Sequence, residues 1–217
     1  MKTTDLNLQK NVAEELSFDP TVEASLIGVG MKDGVATLTG RVPNYAQKIA
    51  AEDAARRVAG VKGLACEIEV ELPEFHQHSD ADIVAAALKV IGWDVSVPKD
   101  AVVVEADKGW VTLDGATDWQ FQKERAELDV RYLSGVRGVT SRITVKPHPA
   151  ATDVEDKLRQ VFERRAGLDA QRMSVETRDS VVTLRGTVHS WVEHQDATRA
   201  AFSVPGVKRV ENLTTIS

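Results

Sequence analysis

Hydrophobic positions in this chain follow alternating helical and strand periods, and the same succession of periods occurs three times. Helical spacing comes first in each copy. Its apolar residues recur at i, i+4 and i+8, in the triplets Leu8/Val12/Leu16, Ile83/Ala87/Ile91 and Val154/Leu158/Phe162. Each triplet predicts an amphipathic helix with one buried face. The candidate capping residues at the helix starts are Asp5, Asp80, and Thr152 or Asp153.

A β-hairpin is predicted after each of these helices. The first strands cover residues 26–31, 101–106 and 173–177. The second strands alternate apolar and polar residues between small residues, as Gly34-Val-Ala-Thr-Leu-Thr-Gly40, Gly109-Trp-Val-Thr-Leu-Asp-Gly115 and Ser180-Val-Val-Thr-Leu-Arg-Gly186. Asp33-Gly34 and Lys108-Gly109 favour tight turns. The third turn ends in Asp179-Ser180 without a glycine, so a different turn or a strained residue is expected there.

Helical spacing then returns with small residues on the inward stripe. The positions are Ala51/Ala55/Val58, Ala126/Val130/Leu133 and Ala197/Ala201/Val204. Alanine on the buried stripe allows a helix to lie close to a sheet. A last strand follows Gly60, Gly135 or Gly206, so each copy has the predicted order α-β-β-α-β.

These repeats define the predicted architecture. The fold class is α+β, with three tandem two-layer sandwiches, each a three-stranded mixed sheet with two helices on one face. The predicted domains are residues 1–73, 74–147 and 148–217. A unit of this size has a small core, so packing between copies is expected to add stability.

The repeated pattern resembles the BON domain, named after bacterial OsmY and nodulation proteins. The resemblance rests on the glycine-bounded strand, the alanine-rich helix and the Gly-Val start of the last segment, and it covers residues 5–216. It implies that two glycines per copy are structural, bending the backbone at element ends. These glycines are Gly40, Gly60, Gly115, Gly135, Gly186 and Gly206.

The resemblance also implies a class of function. Such proteins are typically induced by stress, often high osmolarity, and lack catalysis in this domain. Two hypotheses follow: an adaptor or chaperone-like protein that binds protein or envelope partners, and direct phospholipid binding at the cell envelope. The N-terminal residues contain no apolar signal region, which favours the cytoplasm if the chain begins at its natural start, and the periplasm if it is a mature form.

Composition restricts the partners. The chain has 27 basic and 33 acidic residues, a net charge of −6. Nucleic acid and anionic membranes therefore repel it on average, and no nucleic-acid partner is expected. The basic pairs Arg56-Arg57 and Arg164-Arg165 lie beside acids on predicted helices, which favours solvated faces. No apolar run approaches the length of about 20 residues that a membrane-spanning helix needs. The sequence does not predict an oligomeric state.

Residues for catalysis are sparse. His189 and His194 form the only histidine and carboxylate cluster with Glu193, and their spacing does not predict convergence. His76 and His78 lie in a linker without further ligands, so neither a metal site nor a cofactor is predicted. The chain is therefore expected not to be an enzyme.

Aromatic residues are the candidate contacts for a lipid or a partner. The start of the second helix carries one or more in every copy: Tyr45, Trp119 with Phe121, and Trp191. Two hypotheses are open for them: docking on the core or the neighbouring copy, and an exposed binding surface. Trp110 opens a hairpin strand and is a further candidate.

Overall fold

A computed structural model describes residues 5–146, 156, 158, 160–161, 173–178, 181–204, 207 and 209–216. Its three mixed sheets, covered by helices, confirm the predicted α+β class. Each sheet lies over its own cluster of buried residues, so there is one core per copy.

The first repeat has all five predicted elements. They are α1 (Asp5–Phe18), β1 (Ile27–Lys32), β2 (Val35–Val42), α2 (Tyr45–Arg57) and β3 (Gly63–Val70). The predicted helical triplet Leu8, Val12 and Leu16 is buried, so the spacing correctly identified the inward face of α1.

The second repeat has the same order with a divided last strand. Its elements are α3 (Asp80–Trp93), β4 (Val102–Asp107), β5 (Trp110–Thr117), α4 (Gln120–Arg131), β6 (Gly138–Ser141) and β7 (Thr144–Val145). A short 3-10 helix, Glu74–His76, precedes α3. Both β6 and β7 run parallel to β5.

The third repeat is described in part. Its elements are β8 (Met173–Arg178), β9 (Val181–Val188), α5 (Trp191–Phe202) and β10 (Arg209–Ile216). Residues 156, 158, 160 and 161 are helical, and Leu158 is fully buried in the core of this repeat. The predictions for Thr152, Asp153, Val154, Phe162, Arg164, Arg165, Asp179, Ser180 and Gly206 lie outside the described residues.

The second hairpin strand forms the centre of each sheet. It pairs antiparallel with the strand before it and parallel with the strand that returns after the helix. The inward alanines, among them Ala51, Ala55, Ala126, Ala197 and Ala201, have no exposed surface. Close helix-to-sheet packing therefore matches the prediction made from small residues.

Three glycines lie inside strands, which corrects their predicted place at element ends. Gly40, Gly115 and Gly186 are followed by two further strand residues, with φ of 134°, 140° and 129°. Each pairs with the first residue of the preceding strand, as in Ile27 opposite Gly40. The strand continues past the glycine because its last two residues still pair with the returning parallel strand.

Gly60 and Gly135 occupy the turns between the second helix and the last strand. Both have φ of +90°, a region that residues with a Cβ rarely adopt. A Cβ on Gly135 would lie 3.0 Å from the Ile83 side chain and 3.2 Å from Cβ of His78. This glycine therefore permits close approach of α3 and the linker before it.

Carboxylates at the start of α1 and α3 hold the hairpin turns. Asp5 accepts hydrogen bonds from the amides of Asp33 (2.8 Å) and Gly34 (3.1 Å). Asp80 accepts from those of Lys108 and Gly109, both at 2.8 Å. The helix-capping prediction for Asp80 is wrong, because the Ser79 hydroxyl caps α3 by accepting from the Asp82 amide. Asp80 instead binds a turn that is distant in sequence.

The Asp80 contact predicts a pH-dependent stability. Its two backbone hydrogen bonds lower the pKa of Asp80 below the ordinary value. A lowered pKa contributes stability above the unfolded-state value of about 3.9, and this contribution disappears as pH falls through the folded-state value. We therefore expect Asp80→Asn to be less stable than the wild type at pH 7, and the difference to shrink as the pH falls through the lowered folded-state pKa of Asp80. Urea unfolding at several pH values measures the difference; a gap that widens in acid would contradict this contact.

Candidate functional surfaces

The second helix of the third repeat, α5, lies beside the second helices of the other two repeats. Helix α2 contacts α5, and Glu124 of α4 lies 3.7 Å from Arg199 of α5. Tyr45, at the start of α2, packs on the core of the second repeat. The start of each second helix, where the sequence analysis placed its aromatic candidates, therefore lies close to another repeat or to its own sheet.

Tyr45 is a docking residue between repeats. Its ring is half-buried beside Leu133, Val136 and Val139 of the second repeat. Burial raises the pKa of Tyr45, partly offset by a hydrogen bond with the Val139 backbone. This environment leaves little of the ring for an external ligand.

Trp119 and Phe121 lie at the contact between α4 and α5. Together with Phe202 and Ser203 they line a cavity of about 420 Å³. Trp119 is half-buried, whereas Phe121 is exposed. The start of α4 is held by the Gln122 side chain, which accepts from the Trp119 amide at 3.0 Å. Of this pair, Phe121 is the more accessible to a partner.

Trp191 packs against His194 at the start of α5. Their ring centroids are 5.2 Å apart in an edge-on arrangement, and His194 Nδ1 lies 2.8 Å from the Thr214 hydroxyl. Burial lowers the pKa of His194. Glu193 accepts from the His189 amide at 2.8 Å as part of the helix start. The His194 ring contacts Trp191 and Thr214, and the Glu193 carboxylate accepts a hydrogen bond at the helix start. These contacts favour a structural role for Trp191, Glu193 and His194.

Trp110 lies at the surface of the second sheet. Its ring is about half exposed, and its Nε1 donates to the Thr140 hydroxyl on β6 at 2.8 Å. A Cβ on Gly138 would lie 2.5 Å from this ring. The ring thus packs flat over a glycine, and one face remains accessible.

Among the residues that the structure describes, the most exposed aromatic side chains are at positions that the sequence analysis did not select. Phe18 ends α1 and Trp93 ends α3, at equivalent places in the first two repeats, and their exposures are 79% and 82%. Val95, two residues after Trp93, is fully exposed. These exposed apolar side chains are therefore the candidates for contact with a partner or a lipid.

Helix α3 also has an apolar outer face. Its inward residues are Ile83, Ala87 and Ile91, and a second stripe on the exposed side contains Ala81, Ala85, Leu88 and Gly92. We call Ala85, Leu88, Trp93 and Val95 the α3 surface. The composition of α3 could have indicated this face from the sequence, because only three of the 14 residues of the helix are charged: Asp80, Asp82 and Lys89. A surface helix normally carries a polar outer face.

The loops after α1 and α3 are held by matching polar contacts. Asp94 accepts from the Ser96 amide at 2.7 Å and from Arg125 of α4 at 3.0 Å. Hydrogen bonding to Ser96, followed by Arg125, lowers the pKa of Asp94. Asp19 corresponds to Asp94 in the first repeat and contacts Thr21 and Arg57. These contacts hold the backbone that directly follows Phe18 and Trp93.

Arginines of the second helices are paired with acids. Arg56 lies 3.0 Å from Glu52, and Arg57 lies 2.9 Å from Glu15 and 3.1 Å from Asp19. The Arg57 contacts join α2 to α1. Because these charges are neutralised locally, the pair offers little attraction for an anionic ligand.

Within the described residues, no helix is long and apolar enough to cross a membrane. The same part of the chain contains no group of three or more histidine, cysteine or acidic residues placed to hold a metal ion. Cys66 lies half-buried on β3, and burial raises the pKa of its thiol. A raised pKa disfavours the reactive thiolate.

The repeats belong to a known family. The BON domain model matches residues 4–71, 79–147 and 150–217, so the chain belongs to the BON domain family in three tandem copies. Among curated proteins, it is similar to "Osmotically-inducible protein Y" of Escherichia coli strain K12, with 27% identity over 203 residues. That alignment covers 88% of this chain and 94% of the relative.

Solved structures give weaker matches. Two are of CdsD, a structural protein of the Type III secretion system of Chlamydia trachomatis. Their identities are 11% and 12%, they cover 97% and 99% of this chain and 92% and 100% of their own, and both have a TM-score of 0.27. At this TM-score neither structure informs the fold or function of this chain.

Proposed function

We propose that this protein is a non-catalytic, stress-associated binding protein that contacts phospholipid at the cell envelope through the α3 surface. The observation that carries this proposal is the exposed apolar face of α3, which ends in Trp93 and Val95. The stress context is supported by the similarity to an osmotically inducible protein.

The chemistry of the α3 surface suits the headgroup region of a bilayer. Tryptophan is favoured there because its ring is apolar and its N–H is polar. Leu88 and Val95 provide exposed aliphatic area beside it. Lys89 is also exposed on α3, and a long cationic side chain can extend toward phosphate while its stem stays in apolar surroundings. Helix α3 would then lie along the membrane surface and would not cross the bilayer.

Charge sets the expected lipid preference. The net charge of −6 opposes approach to anionic membranes at low salt. Asp94, next to Trp93, is paired with Arg125, so the end of α3 carries little uncompensated negative charge. Insertion of apolar side chains should therefore dominate, with binding to zwitterionic vesicles that changes little with salt.

Vesicle flotation of the full chain tests this function. We expect co-migration with phosphatidylcholine vesicles, and loss of most of it in Trp93→Ser/Val95→Ser, because this variant removes the largest exposed apolar side chains of the α3 surface. The matched control is Phe75→Ser, which removes a ring of similar exposure, 78%, from the linker and should bind normally. Absence of co-migration with neutral and anionic vesicles at low and physiological salt would overturn the lipid proposal.

An adaptor or chaperone-like role is the second candidate. The stripe Ala81, Ala85, Leu88 and Gly92 has the spacing of a helix-packing ridge with small residues, which permits close approach of a partner helix. In that case the protein would stay out of the lipid fraction, and Leu88→Glu would abolish capture of an amphipathic helical peptide while Phe75→Ser would not. Peptide binding without flotation favours this candidate over lipid.

A further inference from the structure

Two histidines of the first linker point at a single atom in the second repeat. His76 Nδ1 lies 2.8 Å and His78 Nε2 lies 3.1 Å from the Ser134 hydroxyl oxygen. The two histidines are neighbours in sequence, whereas Ser134 lies 58 positions from His76 and 56 from His78. The fold therefore brings a distant hydroxyl to both imidazoles.

Both histidines are held in place by contacts with nearby residues, Phe75 for His76 and Gly135 for His78. His76 ends the 3-10 helix Glu74–His76, and its ring lies beside that of Phe75, with centroids 4.5 Å apart. The Cβ of His78 lies against Gly135. Gly135 takes a positive φ in the turn that contains Ser134, which leaves room for the linker to approach. The junction is thus formed by the linker on one side and the turn after α4 on the other.

We propose that His76 and His78 form a binding site for a divalent transition-metal ion at the junction of the first two repeats. Neutral imidazole nitrogens are common ligands for Cu²⁺, Ni²⁺ and Zn²⁺. At present the Ser134 hydroxyl satisfies both nitrogens, as donor to one and acceptor from the other. An ion placed between the rings would replace this shared hydrogen bond.

The geometry requires a small closure of exposed side chains. A metal lies about 2.0–2.1 Å from a histidine nitrogen, so each nitrogen must lie closer to the ion than it now lies to the Ser134 hydroxyl oxygen. His78 is exposed and His76 is half-exposed, which permits this movement without disturbing a core. The Ser134 hydroxyl and water complete the coordination, since the described residues hold no third histidine, cysteine or acidic ligand there.

Ligand type sets the expected order of affinity. With imidazole ligands in an open site, Cu²⁺ is expected to bind more tightly than Ni²⁺ or Zn²⁺. Because both ligands lie in the linker and contact the turn of the second repeat, a bound ion should hold the linker in its folded place. Binding therefore raises the melting temperature, by an amount that grows with ion concentration.

Calorimetric titration of the full, tag-free chain with CuCl₂, NiCl₂ and ZnCl₂ tests the site. We expect one ion per chain and an affinity reduced about tenfold or more by His76→Asn or by His78→Asn, because each substitution removes one of two nitrogen ligands. The matched control is His189→Asn, an exposed histidine in the third repeat, which should leave the affinity unchanged. Circular dichroism verifies that each variant is folded.

Three outcomes would overturn the proposal. They are an unchanged affinity in the double variant His76→Asn/His78→Asn, a loss of binding in His189→Asn, and no binding of any of the three ions. The lipid proposal is independent of all three, since the α3 surface contains no histidine.

Discussion

Replacement of Gly115 by alanine is expected to destabilise the second repeat by about 3 kcal/mol or more. The new Cβ would lie 2.1 Å from the Ala101 carbonyl oxygen, which belongs to the backbone and has no rotamer to change. The residue would also have to keep φ of 140°, a conformation that costs residues other than glycine about 1–3 kcal/mol. Urea unfolding, monitored by circular dichroism, measures the loss.

Gly92→Ala is the matched control for this substitution. Gly92 is on α3, and a Cβ there would contact nothing within 4 Å. Alanine in a helix is preferred to glycine by up to about 1 kcal/mol, so this variant should be equally or more stable than the wild type. If Gly115→Ala unfolds at the same urea concentration as the wild type, the close approach of strands β4 and β5 at this position is wrong.

Replacement of Tyr45 by alanine is expected to cost about 2 kcal/mol and to separate the unfolding of the first two repeats. The ring is half-buried on the core of the second repeat, and its loss leaves a cavity between repeats. The estimate lies below the range of about 3–5 kcal/mol for a fully buried aromatic residue because part of the ring is exposed. Calorimetry should show a broader transition, or two, in place of one.

Tyr132→Ala provides the comparison for Tyr45. Tyr132 is the other tyrosine of the chain, and 69% of its surface is exposed. Its removal should change the free energy of unfolding by no more than about 0.5 kcal/mol. Equal losses in the two variants would contradict a docking role for Tyr45, as would an unchanged calorimetric transition in Tyr45→Ala.

The local elements were largely predictable because hydrophobic period depends on nearby residues. Leu8, Val12 and Leu16 mark the inward face of α1, and the alternation around Leu113 identifies β5. The strand beyond Gly115 was not predicted, since it continues only because Ala116 and Thr117 pair with the distant β7. Pairing with a strand that is distant in sequence does not show in the local pattern of hydrophobic residues.

The same distinction explains the misassigned carboxylate. Asp80 lies at a helix start in the sequence, which is typical of a cap, but Ser79 takes that position. The amides of Lys108 and Gly109, about 28 residues away, instead bind its carboxylate. An aspartate beside a serine offers two acceptors for one cap, and only the three-dimensional position of the hairpin decides between them.

The candidate surface was the least predictable feature. The recurrence of aromatic residues at the second-helix starts predicts a contact surface, yet Tyr45 lies between repeats and Trp191 packs on His194. The exposed Trp93 ends a helix whose apolar composition resembles that of a buried segment. Exposure depends on how the repeats assemble, and the sequence pattern of a single copy does not contain that information.

Hydrogen–deuterium exchange with and without phosphatidylcholine vesicles tests the central claim most directly. The claim is that the protein binds through the free end of α3, while the starts of the second helices serve the internal assembly. It predicts vesicle-dependent protection of peptides spanning 85–97 and unchanged exchange in peptides containing Trp119 or Trp191. Protection at those two tryptophans with no change at 85–97, or no protection anywhere, would contradict it.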